Sequence, residues 1–245
     1  MLSADPRSFA ENLTAELVRR SGDFLSAAYL HGSAALGGWN VERSDVDILF
    51  VVADEIGDDA VAAIGELLLA TRGLGRGLEC SVVTSSQAAR PCPPYPFILH
   101  RGQDAGAQRL YSGSEMPGDS DLLMHYAVCR VAGITLFGPP PLDCIGAVPR
   151  PVILTYLAGE LDWGLANGAE SYAVLNACRA LEYLDSGRLV SKVAGGLAAL
   201  DRGTGPAGPV RMALDAQQGT CGERRPGPEA TAFVRSVIAK LEAGS

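Results

Sequence analysis

Two aspartates set two residues apart, Asp45 and Asp47, open onto the apolar run Ile48-Leu49-Phe50-Val51-Val52. Such a run reads as a buried strand, in which residues i and i+2 share a face. Two carboxylates then project together from an otherwise apolar element. Like charges held that close, away from bulk water, repel unless a cation neutralises them. A hard divalent ion with oxygen ligands suits the pair. Magnesium is the expected ion, because it takes a few carboxylates and fills its shell with waters and substrate phosphate oxygens. Twelve residues before Asp45 stands Ser33, preceded by Gly32. Glycine lets a backbone approach a phosphate closely, and a serine hydroxyl can donate to it. Ala34-Ala35-Leu36 read as the opening of a helix whose free amides would face an anion. A phosphate cradle close to a metal-binding carboxylate pair points to chemistry on a nucleotide.

The elements that must hold these residues can be read on either side. Ser8 to Arg20 is a first helix, with Phe9, Leu13 and Leu17 on one face, and Ala27 to Leu30 is a short strand entering His31-Gly32-Ser33. After the Asp45/Asp47 strand come a helix over Ala60 to Thr71 and a strand over Leu78 to Thr84, LECSVVT. Glu79 in that strand is a candidate third carboxylate, able to accept a proton from an attacking hydroxyl or to join the metal site. Phe97 to His100 reads as a further strand, Asp119 to Val131 as a helix, and Ile134 to Phe137 as a strand stopped by Gly138-Pro139-Pro140-Pro141. With Pro149 and Pro151 this proline cluster is the expected boundary between a domain over 1–150 and another over 151–245. Beyond it the pattern is helical: Val152 to Leu165, Ser171 to Leu184, Ser191 to Leu200 and Glu229 to Leu241, with a loose Gly/Pro-containing stretch over Pro206 to Gln218. The fold expected is an α/β (α+β) domain with a small mixed sheet, followed by an all-α helical bundle.

Composition narrows the partners. Hydrophobic residues make up 47% and charged residues 20% of the 245, which provides a packed core and excludes wholesale disorder. A net charge of -8 disfavours a nucleic-acid template and suits a cationic small substrate. The six cysteines are scattered without a C-x-x-C pair, so they read as reduced thiols rather than zinc ligands. His31, His100 and His125 have no metal-ligand spacing, and His31 reads as a strand-end residue. Trp39 either stacks on a ligand or packs. No apolar run has membrane-spanning length, and the N-terminus lacks a signal-peptide core, so the expectation is a cytoplasmic protein; a monomer is expected as well.

The ordered set HGSAALGGWNVERSDVDILFVV resembles the signature of nucleotidyltransferases with a DNA-polymerase-beta-like core: a strand, Gly-Ser, a variable loop, and Asp-x-Asp on the next strand. A second stretch, YAVLNACRALEYLDSGRLVSKVAGG, is similar to the helical domain of aminoglycoside adenylyltransferases of the streptomycin/spectinomycin type. The resemblance spans roughly Tyr29 to Leu200. It implies a nucleotidyltransferase domain followed by a helical domain, ATP as co-substrate, Mg2+ on Asp45 and Asp47, and Glu79 as general base more than metal ligand. It implies a nucleotide-binding set of Gly32, Ser33, Ser44, Asp121, Arg179 and Lys192, the arginine and lysine meeting the ATP phosphates. The lysine also stands in the first turn of its helix, where the dipole disfavours a cation and an anion would relieve it. AMP would pass to a hydroxyl of a small molecule, most directly an aminoglycoside-type antibiotic.

Acceptor recognition departs from the family. Glu160, Leu165 and Ala169 stand where acidic and aromatic drug-holding residues are expected, which leaves Glu170 as the nearest acid, and Gly196-Leu197-Ala198-Ala199 replace a region that often carries tryptophan. Two other readings stay open: transfer to a protein or RNA acceptor of toxin–antitoxin type, and a nucleotide- or drug-binding protein without turnover.

Overall fold

Apolar runs buried along nearly their whole length form the centre of a six-stranded mixed sheet. In the computed structural model, which describes residues 5–104 and 107–244, the strands are β1 (Leu25–Leu30), β2 (Val46–Val52), β3 (Leu78–Thr84), β4 (Leu99–Asp104), β5 (Ala107–Ser112) and β6 (Ile134–Phe137). They lie in the order β5-β4-β3-β2-β1-β6. Only β2 and β3 run parallel. Val46, Ile48, Phe50 and Val52 of β2 and Leu78, Cys80 and Val82 of β3 share one core with Leu13 and Leu17 of helix α1 (Pro6–Ser21) and Ile64 and Leu68 of helix α3 (Asp58–Ala70). Period two then sends Asp47 and Leu49 of β2 and Glu79, Ser81 and Val83 of β3 to the opposite face.

Helix α3 is the crossover that a parallel β2–β3 pair requires. Asp58 and Asp59 occupy its first turn, where the dipole favours anions. At its other end the buried Arg101 of β4 hands a guanidinium N–H to the Leu68 carbonyl. Between β1 and β2 lies the four-residue turn of helix α2 (Gly32–Ala35), and after β3 come the short α4 (Ser85–Ala89), α5 (Leu122–Ala132) and α6 (Pro141–Cys144).

The chain divides into two compact units, Met1–Val148 and Pro149–Ser245, so the break falls in the proline cluster. The second unit is helical: α7 (Arg150–Asn167), α8 (Glu170–Ser186), α9 (Lys192–Arg202), α10 (Ala207–Gln218) and α11 (Pro228–Gly244). Helix α8 is its axis, with residues buried along most of its length. Among the described residues no helix is long and apolar enough to cross a membrane.

Besides the short α4 and α6, which the sequence reading did not mark, two elements differ from the sequence expectation. The stretch over Pro206 to Gln218 is not loose but forms α10. Pro209 falls in its first turn, where a missing N–H breaks no helical bond, and Val210, Ala213 and Leu214 bury one face. Strand β5 has no counterpart in the sequence reading, because AQRLYS is an edge strand paired only with β4 and carries no apolar alternation.

Glu182 of α8 is buried, and its carboxylate meets Arg188 Nη2 at 2.5 Å and Arg202 Nη1 at 2.6 Å. Burial alone would raise this carboxyl, but hydrogen bonds from Arg188, Ser186 and Arg202 outweigh it and draw the pKa down to about 2. Glu182→Gln is expected to lower stability by about 1–3 kcal/mol, read from the denaturant midpoint at unchanged slope. A depressed folded-state pKa gives stability that is present above the ordinary carboxylate value and lost as pH falls through the folded one. The wild-type and variant curves should therefore converge as pH drops from 4.5 toward about 2.

Candidate active site

The parallel register sets Asp47 directly beside Glu79. Asp45, just ahead of β2, sits close enough to add a further negative charge at Asp47. Burial pushes the Asp47 carboxyl up, Glu79 and Asp45 push it further, and it reaches about 8 despite opposing pulls from His125 and the Ser33 amide. A carboxyl group so placed releases its proton to solvent readily only when a cation takes the proton's place.

Gly32 is fixed by the same carboxylate. It has φ +59°, and a β-carbon there would stand 1.8 Å from Asp47 Oδ2. The left-handed backbone and the missing side chain are both required, so α2 wraps onto the acid. The His31 amide donates to the Asp47 carbonyl at 2.9 Å, closing the β1–β2 end of the turn. The Ser33 hydroxyl is buried with no hydrogen-bond partner among the described residues. A buried hydroxyl in that condition next to a carboxylate suits a phosphate or metal-bound oxygen.

All three histidines gather here, which the sequence reading missed. His125, on α5, places Nε2 3.5 Å from Glu79 Oε1, and its ring lies 4.7 Å from that of the buried His31. His100, on β4, bonds Ser81 Oγ through Nδ1 at 2.9 Å and faces Asp119 at 3.7 Å. Burial lowers His125, but Glu79, Asp119 and Asp47 reverse this and raise it to about 9. Burial holds His31 well below its ordinary value and lowers His100, which its acidic neighbours only partly offset. Burial raises Glu79, yet the His125 hydrogen bond and charge, with help from His100, bring it below the ordinary carboxylate value. The signal for His125 was a lone histidine in the apolar helix LLMHYAVC, one turn after Asp121.

Other expected site residues fall as follows. Ser44 is buried in the turn before Asp45, its hydroxyl accepting from the Asn40 amide at 3.2 Å. Asp121 starts α5, exposed, with its amide on Asp119 Oδ1 at 2.9 Å, and adds charge at His100. Trp39 packs against the core rather than standing free. In the helical unit, Arg179 is oriented by Val190 O at 2.8 Å and Asn176 Oδ1 at 3.1 Å, so the two polar residues that broke the apolar pattern of α8 hold each other. Lys192 extends over the Tyr172 ring, 4.5 Å from its centroid. Glu170 is buried, with Oε1 2.5 Å from Arg224 and Oε2 accepting the Gly227 amide at 2.8 Å. Those bonds tie the 224–227 segment to the start of α8, a structural commitment that a substrate contact does not need. Among the described residues no three His, Cys, Asp or Glu side chains form a metal shell by themselves. A cation on Asp45 and Asp47 would therefore need substrate oxygens as well.

No family model matches the chain. It is 28% identical over 181 residues to the spectinomycin 9-adenylyltransferases of Staphylococcus aureus strains Mu50 and N315, spanning 70% of this chain and 69% of each relative. Its fold is like that of a solved structure, the spectinomycin adenyltransferase AAD(9) from Enterococcus faecialis with ATP and spectinomycin. The TM-score is 0.66 at 16% identity, over 94% of this chain and 97% of that one. The β2–β3 carboxylate pair, the Gly32-Ser33 turn folded onto it and these likenesses agree: in sequence the chain resembles spectinomycin adenylyltransferases, and it shares the fold of one.

Proposed function

We propose that this chain transfers AMP from ATP to a hydroxyl of a small, hydroxylated and cationic acceptor, with an aminocyclitol such as spectinomycin the first to test. The observation that carries the reading is the register of Asp47 against Glu79 with Gly32 closed over Asp47. The relatives' names and the ATP-bound structural neighbour support it.

Asp45 and Asp47 would hold Mg2+, which when bound neutralises charge on the triphosphate. Ser33 donates its buried hydroxyl to a phosphate oxygen, and Gly32 keeps the backbone low enough to admit it. Arg179, Lys192, Ser44 and Asp121 complete the proposed nucleotide set, the two cations balancing phosphate charge. Glu79 takes the proton of the acceptor hydroxyl. That oxygen bonds to the α-phosphorus as the bond to the pyrophosphate oxygen breaks, and pyrophosphate leaves with the electron pair. Orientation and fixed charge supply the acceleration. The reading makes the chain a monomeric enzyme of the ATP-containing cytoplasm.

With magnesium-ATP and a panel of spectinomycin, aminoglycosides and lincosamides, one drug is expected to give pyrophosphate release together with a mass gain of one AMP. Asp47→Asn should reduce that turnover by at least about 100-fold without lowering the melting temperature, because a neutral amide replaces a carboxyl that the folded, cation-free chain already holds protonated below about pH 8. Full turnover in Asp47→Asn would overturn the assignment. Gly32→Ala should be at least as inactive and, unlike Asp47→Asn, less stable, as seen in a thermal melt of both variants.

A pH test follows from the raised Asp47 carboxyl. Between the ordinary 3.8 and about 8 the folded chain keeps a proton that the unfolded chain has released, so cation-free stability falls as pH rises through that window. Magnesium must displace that proton, and its apparent affinity should climb with pH by up to about tenfold per unit. Melting curves with and without Mg2+ should show the larger stabilisation at about pH 8 rather than about pH 6, and Asp47→Asn should flatten the difference.

A further inference from the structure

The reading of Glu79 as base leaves one question: what keeps a carboxylate oriented and charged when its strand neighbour is another carboxylate. His125 answers it geometrically. It projects from an α5 face that is otherwise apolar, with Leu122, Tyr126, Ala127 and Cys129 buried around it. A half-buried imidazole among such neighbours needs a polar reason to be there. Its Nε2 stands at ion-pairing distance, 3.5 Å, from Glu79 Oε1. The other side of the ring is braced by His31, whose own amide is bonded to the Asp47 carbonyl at 2.9 Å. His125 is thereby keyed to both acids of the strand pair. His100 also flanks Glu79, but its Nδ1 is taken by Ser81 and Asp119.

We propose that His125 is the positioning residue for the general base: through Nε2 it fixes Glu79 Oε1, so that Oε2 is presented to the acceptor hydroxyl. This rests on the reading of Glu79 as base. The 3.5 Å separation is of a kind that shortens when substrates exclude water, as hydrogen bonds at catalytic groups commonly do. Donation from His125 also leaves the carboxylate as proton acceptor at one oxygen only, which gives the transfer a direction.

The experiment compares His125→Phe, which keeps the ring against His31 but loses the donor, with His125→Gln, which restores a donor, and with Glu79→Gln. Each is assayed with magnesium-ATP and the acceptor identified by the drug panel. His125→Phe should lose about 10- to 100-fold in kcat with KM for ATP and the melting temperature little changed. His125→Gln should recover part of the loss, and His125→Phe added to Glu79→Gln should cost nothing more. Wild-type kcat in His125→Phe beside an inactive Glu79→Gln would overturn the positioning role and leave the base intact. Full activity of Glu79→Gln would overturn both. A readout that needs no acceptor is the heteronuclear spectrum of labelled histidine. The His125 signal should move in Glu79→Gln and stay in place in Asp54→Asn, and an unmoved signal in Glu79→Gln would remove the contact on which the proposal stands.

Discussion

The site in this chain depends on one pairing, the parallel register that lays Asp47 next to Glu79. Two carboxylates on neighbouring strands, with Asp45 close by, cannot all ionise in a half-buried setting without compensation. Each surrounding feature supplies some of it. Gly32 gives up its β-carbon so that the α2 turn brings the Ser33 amide to Asp47. His31 locks that turn through its own amide, and α5 contributes an imidazole to Glu79. The opposite face of the same strands is uniformly apolar and packs on α1 and α3, which keeps the register from slipping, since a shift of one residue would drive the acids into that core.

In the helical unit, charge is organised differently. Its buried acids are each already answered by arginine: Glu182 by Arg188 and Arg202, and Glu170 by Arg224. These pairs fasten the end of α8 to α9 and its beginning to the 224–227 segment. Gly195 allows α9 to pass close to α8 at Arg179, where a β-carbon would stand 2.9 Å from the arginine side chain. Gly196 likewise leaves room for Leu175 and Leu214, whose side chains a β-carbon there would meet at 2.8 and 2.9 Å. Lys192 sits against the dipole of α9, and the Tyr172 ring beneath it offers a partial compensation through cation–π attraction.

The parts of this structure legible in the sequence are those governed by local rules. Strand β2 announces itself by an apolar run, β3 by LECSVVT, α8 by its Gly187 stop and α9 by its Ser191 cap. Asp45, Asp47, Gly32 and Glu79 were readable because period two and the helix between β2 and β3 together constrain where they point. What escaped depends on tertiary pairing. β5 is a strand only because β4 lies beside it. The histidines come from three separate elements, and no spacing in the chain encodes their meeting around Glu79. Glu170 looked available in sequence because its partner Arg224 lies far along a segment that carried no signal.

Under the proposed reaction, the two members of the strand pair need opposite properties. A metal-binding acid can carry a raised pKa, because the cation itself removes the proton, and Asp47 is pushed up to about 8. A base must be ionised before any acceptor arrives, and Glu79 is held low by the imidazole beside it. Neighbouring carboxylates whose surroundings drive their pKa values apart are the usual mark of divided roles. Here the divider is a single side chain on α5. Without it, burial would push Glu79 toward the protonated form with only His100 to oppose it, and a protonated carboxyl accepts no proton from a hydroxyl.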